Sequence, residues 1–235
     1  MFSYDDAVVE QYPGIHAGVI LATGLVNGPS SPELVAAFMA EQAAVTDRLQ
    51  GTELAEIPSI AAWRRAFTRF GAKPTQYRNA AESLLRRLSK QGDIPTISTL
   101  VDMGNLISIR YALPVAIFDQ DQIAGEITVR IAKGDEPFAD LGSSESVHPE
   151  PGEVIFVDAN NDVSARRWCW RQSAKSATSP STVNAMIVIE GHHETAQADI
   201  QSAVRDMTKL LETYMTELRT LPNSSEFLAR EWDKE

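Results

Sequence analysis

The stretch LVDMGNLISIRYALPVAIFD, residues 100–119, decides the fold class, because it passes from a helical segment into a strand. Residues 94–114 read as a short helix, and after Pro114 the apolar run 115–118 is of β type. Further β-type runs follow at residues 126–131, 153–157, 165–169 and 186–189, punctuated by Gly125, Gly134, Gly142 and Pro151-Gly152. The part before the stretch is mainly helical. Ser31 followed by Pro32 and Glu33 marks a helix start, with Leu34, Phe38, Ala44 or Val45, and Leu49 as its apolar stripe. Ser59 and Thr75 start two more helices that end near Phe70-Gly71 and Gln91-Gly92. At the front, residues 7–9 and 18–22 read as a strand pair around Tyr12-Pro13-Gly14. Residues 194–221 return to helix, with Ile200, Val204, Met207, Leu211 and Leu218 on one face that docks on the core. The expectation is an α+β fold, a single domain over residues 1–235. It has a mixed or antiparallel β core flanked by N-terminal helices and a long C-terminal helix.

The chain has 235 residues, 43% hydrophobic and 23% charged, which is the composition of a packed globule. Its apolar runs are strand-sized, short of the ~20 residues a membrane span needs. The opening MFSYDDAVVEQ sets Asp5 and Asp6 where a secretory signal carries basic residues, so a cytoplasmic location and no membrane partner are expected. Cys169 is the lone cysteine and is expected free and packed. A net charge of −11 argues against sequence-blind nucleic-acid binding, and no DNA partner is expected. The basic residues are nevertheless grouped. Arg64, Arg65, Arg69, Lys73, Arg78, Arg86, Arg87 and Lys90 are opposed only by Glu82, and Arg166, Arg167, Arg171 and Lys175 form a second group. One basic face on an acidic chain would account for this, as would an ordinary solvated helix surface.

The middle of the chain also carries short motifs in a fixed order: Trp63-Arg64, Gly71-Ala72-Lys73-Pro74, Tyr77-Arg78, Pro95-Thr96-Ile97 and Val101-Asp102-Met103-Gly104-Asn105. They continue with Pro114, Phe118-Asp119, Gly134-Asp135-Glu136, Pro151-Gly152-Glu153, Asn184 and Glu190. Over roughly residues 60–191 this series resembles the B3/B4 region of bacterial phenylalanyl-tRNA synthetase beta chains. There a proline-led helix with Val-Asp-x-x-Asn precedes a Pro-x-x-x-Phe-Asp strand and later an Asn-x-x-x-x-x-Glu strand. The resemblance implies a site where misactivated tyrosine, esterified to the phenylalanine tRNA, is recognised and hydrolysed. A free-standing copy would act in trans. Nothing resembles the aminoacylation machinery, so the chain is not expected to charge tRNA.

Carried over by that resemblance, Glu190 matches the glutamate that accepts a hydrogen bond from the tyrosine hydroxyl. On a strand, Met186, Val188, Glu190 and His192 share one face, so this carboxylate ends an apolar strand and needs a donor if buried. An exposed strand-end glutamate is the plain alternative. Glu190→Ala is expected to alter selectivity more than stability. Asn105 matches the asparagine near the hydrolytic water and is the catalytic candidate, with a helix-end hydrogen bond as its alternative role.

Two departures from the family stand out: Ala116 replaces a histidine, and residues 165–173 replace a glycine-rich run with a bulky, basic one. Along a strand, Arg167, Cys169 and Arg171 would face one way and Arg166, Trp168 and Trp170 the other. The tryptophans read as core plugs. Arg171, Gln172 and Ser173 are the substrate-binding candidates, for phosphate or the terminal adenine of an acceptor end. Ser173 and Thr182 lack a Gly-x-Ser-x-Gly elbow and are poor nucleophile candidates. Asp119 and Asp121 read as turn residues and the adjacent His192 and His193 point apart, so no metal is expected, and no cofactor either. Two functions stay open: a trans-editing aminoacyl-tRNA deacylase, or a non-catalytic module that binds the tRNA acceptor end or a free amino acid.

Overall fold

The computed structural model describes residues 1–142, 146–215 and the backbone of 228–231. The chain opens with strand β1 (Phe2–Tyr4) and helix α1 (Asp6–Gln11). Residues 7–9, expected as strand, are therefore helical. The Asp5 side chain accepts the Ala7 amide at 3.0 Å, and that cap decides a run too short to show a period of its own. Strand β2 (His16–Thr23) leads to helix α2 (Pro32–Arg48), started as expected by Ser31, whose hydroxyl accepts from the Leu34 amide. Helices α3 (Pro58–Arg69), α4 (Ala80–Gln91) and α5 (Thr99–Tyr111) follow. The start of α4 is at Asn79, not Thr75, because the Asn79 side chain accepts the Glu82 amide at 2.9 Å. Gly92 ends that helix in the left-handed region at φ 82°.

The strands come next: β3 (Val115–Asp119), β4 (Ile127–Ile131), β5 (Phe138–Ala139), β6 (Ser146–Val147), β7 (Val154–Val157), β8 (Val163–Arg166), β9 (Arg171–Gln172) and β10 (Asn184–Gly191). Helix α6 (Ala196–Met215) and strand β11 (Leu228–Glu231) complete the described chain. The C-terminal helix expected from residue 194 begins at Ala196, while residues 216–221 lie outside the described residues.

One sheet has the order β1-β4-β7-β8-β9 and the other β11-β2-β10-β3, with β5 and β6 paired apart. β1 runs parallel to β4, and the remaining pairings among the described residues are antiparallel. The fold is α+β with a mixed, largely antiparallel core. The second sheet is the middle layer, and β10 shows why. Its Ile187 and Ile189, with Ile20 and Ile117, pack against α2, α4, α5 and α6. Its Met186 and Val188, with Val19 and Phe118, pack against the first sheet, α1 and α3. The alternation predicts that Glu190 points between the sheets, and it does.

Helix α6 lies so close to β2 that a Cβ on Gly18 would stand 2.4 Å from Val204 Cγ2 and 2.8 Å from Ile200 Cγ2. Gly18→Val is expected to lower stability by about 1–3 kcal/mol through overpacking, read as a lower urea midpoint. An unchanged midpoint would mean that α6 does not need this close seat.

Candidate functional site

Glu190 ends the apolar face of β10 and is 2% exposed. Its Oε1 accepts two hydrogen bonds, from the Tyr4 hydroxyl at 2.5 Å and from Trp168 Nε1 at 2.9 Å. Oε2 accepts from no group among the described residues. Burial pushes the Glu190 carboxyl up to about 7, against the pull of its two donors. The Tyr4 phenol is raised by its own burial and by Glu190, so it remains the donor. A carboxyl that ionises near neutral pH therefore sits where an ordinary glutamate would be fully charged.

Trp168 reaches Glu190 through an unusual turn. The expected strand over 165–169 stops at Arg166, since Arg167 and Trp168 adopt φ 43° and 55°. The expected facing of Arg167, Cys169 and Arg171 does not survive that turn. Left-handed backbone is costly at bulky residues, and here a buried carboxylate holds it. Glu153 accepts from Arg166 Nε at 3.0 Å, Arg166 Nη2 at 2.9 Å and the Arg167 amide at 2.5 Å. The Trp168 ring is then fixed among Tyr12, Trp63 and His192, with centroids 4.9–5.1 Å away. Burial lowers His192 to about 3, so its imidazole is neutral packing.

Beside Glu190 lies a cleft of about 80 Å³. Its buried floor is Phe156, Ala165, Trp168 and Glu190, and its more open wall includes Val115, Ala116, Cys169 and Gln172. Burial and Glu190 push the Cys169 thiol up, so it stands there neutral and is a poor nucleophile. Trp170 and Arg171 complete the mouth. Tyr77 meets Trp170 edge to face at 4.9 Å. The Arg167 guanidinium lies 3.7 Å from the Tyr77 ring centre, and that of Arg171 lies 4.7 Å from Trp170. The mouth is thus edged by aromatic rings with guanidinium groups over their faces.

Residues 62–215 match the family model described as the B3/4 domain, more than half of the chain. The chain belongs to the B3/4 domain family. Among curated relatives, the phenylalanine–tRNA ligase beta subunit of Staphylococcus saprophyticus is 43% identical over 75 residues, 32% of this chain and 9% of that protein. That of Neisseria gonorrhoeae is 32% identical over 105 residues, 45% and 13% of the two chains. The chain therefore covers only a small part of these relatives. A solved N-terminal fragment of the phenylalanyl-tRNA synthetase beta subunit from Pyrococcus horikoshii superposes with a TM-score of 0.48 at 13% identity, over 91% of this chain and 48% of that one. The B3/4 match begins after β1 and β2, so Tyr4, and the strand between β10 and β11, come from outside it.

Within this B3/4 domain Glu190, Arg171 and Gln172 line one cleft. Arg171 is paired with Asp140 at 2.5 Å, and Gln172 Nε2 donates to the Ile117 and Ser176 carbonyls. Ser173 is buried, and its hydroxyl donates to the Ala139 carbonyl at 3.2 Å. Asn105 is half-buried on α5, outside the residues that line the cleft, and its amide has no hydrogen-bond partner among the described residues. Arg64 and Arg78 converge on buried Glu82, and Lys175 on Asp162, so much of the basic grouping is carboxylate-paired. Arg65, Arg69, Lys73, Arg86 and Lys90 are exposed. No group of three or more potential metal ligands is present among the described residues, and no helix among them is long and apolar enough to cross a membrane. Tyr4 and the donor role of Trp168 were not foreseen. Tyr4 is 186 positions from its partner.

Proposed function

We propose that this B3/4 domain hydrolyses the ester of misacylated tRNA in trans, with the acyl side chain in the cleft beside Glu190 and the acceptor end across its mouth. The observation that carries the proposal is the pairing of a near-neutral buried carboxyl with an aromatic and cationic rim. Half-exposed Tyr77 and Trp170 offer stacking faces worth ~1–3 kcal/mol per base. A net charge of −11 weakens broad phosphate attraction, so recognition is confined to the terminal nucleotides. The relatives named as phenylalanine–tRNA ligase beta subunits point to the same class of partner.

Hydrolysis needs no protein nucleophile. Water and the ribose hydroxyl of the substrate, held over the cleft, supply the attack by proximity, and Glu190 exchanges protons near neutral pH. A second reading, a non-catalytic module that binds the acceptor end or an amino acid, is favoured by Ala116, which lines the cleft where the resemblance has histidine.

The test incubates micromolar protein with tyrosyl-, seryl- and alanyl-tRNA. At least one ester is expected to be lost faster than it decays spontaneously. Trp170→Ala should raise KM by roughly 5- to 100-fold with kcat little changed, since stacking is made equally in ground and transition states. Asn105→Ala should change the rate by less than about threefold, because Asn105 lies off the cleft lining. A loss above tenfold would return it to the catalytic site. If no ester is hydrolysed and deacylated tRNA still binds saturably, the second reading holds.

A further inference from the structure

We infer, on the deacylase reading above, that the acyl group accepted by this cleft is small and carries a hydroxyl, as in seryl or threonyl esters, and that Tyr4 takes the place a tyrosine substrate would need. Size is the first argument. The cleft measures about 80 Å³, whereas sites that enclose a whole small molecule span ~300–1,000 Å³. The cleft lies well below the lower end of that range, which favours a hydroxymethyl group over a phenol ring. Its floor cannot easily retreat. Phe156 and Trp168 are fully buried, and Trp168 is wedged between Tyr12 and Trp63.

Hydrogen bonding is the second argument. The bond that a tyrosine substrate would give Glu190 is already given, at 2.5 Å, by the phenol of Tyr4, and Trp168 Nε1 shares the same oxygen. Oε2 is the oxygen left for a ligand. A group that fills the cleft without donating to Oε2 would strip the carboxylate of water and offer nothing in return. A serine or threonine hydroxyl meets that requirement. The methyl of alanine fits without meeting it, and the ring of phenylalanine neither fits nor donates. A site built to hydrogen-bond a substrate hydroxyl rejects the analogue that lacks it far more strongly than it separates two apolar groups.

The experiment uses adenosines with a 3′-amide-linked aminoacyl group, which mimic the acceptor end and cannot be hydrolysed. Binding of the seryl, threonyl, alanyl and tyrosyl amides is measured by calorimetry, beside deacylation of the corresponding tRNAs. The seryl amide is expected to bind on the order of tenfold or more tighter than the alanyl amide, with the tyrosyl amide weakest. Ala116→Leu, which fills the cleft wall, is expected to weaken the seryl amide by a similar factor. Tyrosyl binding as tight as seryl, no seryl binding, or an unaffected Ala116→Leu variant would each overturn the assignment. Tight seryl-amide binding with no turnover of any ester would sustain it while removing the deacylase reading.

Discussion

Glu153→Ala is expected to cost about 3–5 kcal/mol of folding stability, the range for removing one partner of a buried ion pair. Glu153 is 2% exposed and gathers four donors: Arg166 through Nε and Nη2, the Arg167 amide, and the Glu150 amide at 3.2 Å. Arg166 is itself buried and cannot shed its proton, so without the carboxylate a charged guanidinium stays in the interior with no counter-charge. The damage should reach the cleft. The same carboxylate fixes the left-handed turn at Arg167 and Trp168, and only that turn brings Trp168 Nε1 to Glu190. Urea unfolding followed by tryptophan fluorescence reads both consequences. Glu153→Gln, which keeps an acceptor for the Arg167 amide, should lose less. A Glu153→Ala variant within about 1 kcal/mol of wild type would show that the turn stands without it.

This turn also shows where sequence reasoning stops. Helix ends carried by residue type were legible: Ser31 before Pro32 starts α2, and Gly92 closes α4. The period-two alternation of β10 put Glu190 on the correct face, and the family resemblance singled it out. Residues 167 and 168 gave no comparable sign. Left-handed backbone is normally announced by glycine or asparagine, and here Arg and Trp adopt it because Glu153, distant in sequence, binds the turn. Asp5 capped what looked like a strand, and Asn79 took the cap assigned to Thr75. In each case one side-chain hydrogen bond outweighed propensity. Of the candidate site residues, Glu190, Arg171 and Gln172 meet at one cleft, whereas Asn105 stands outside its lining and Ser173 turns to a backbone carbonyl. The contact that most changes the meaning of the site, Tyr4 to Glu190, depends on β1 pairing in parallel with β4, a register that no local pattern encodes.

Glu190→Gln is expected to stabilise the protein at alkaline pH and to leave it nearly unchanged in acid. The carboxyl lies at about 7 in the folded chain, against an ordinary value of 4.5, chiefly because it is buried. A value raised by folding means that the native state holds the proton more tightly. The stabilising contribution is therefore whole below about pH 4.5 and is lost as pH climbs through 7. At 1.36 kcal/mol per pH unit the gap amounts to roughly 3 kcal/mol, or a Tm difference of roughly 5–10 °C for a chain of this length. Glutamine keeps an oxygen for Tyr4 and Trp168 and has no charge to bury, so its stability should not fall over that interval. Alanine is a different experiment. It leaves the Tyr4 hydroxyl and Trp168 Nε1 as buried donors without an acceptor, at about 1–3 kcal/mol each. Glu190→Ala is thus expected to cost stability as well as selectivity, since Oε1 of Glu190 holds two buried donors while the residue also lines the cleft. Thermal unfolding of wild type and both variants at pH 5 and pH 8 separates these effects. A wild-type to glutamine difference that is the same at both values would mean that Glu190 does not titrate in this range, and with it would go the near-neutral carboxyl on which the proposed chemistry depends.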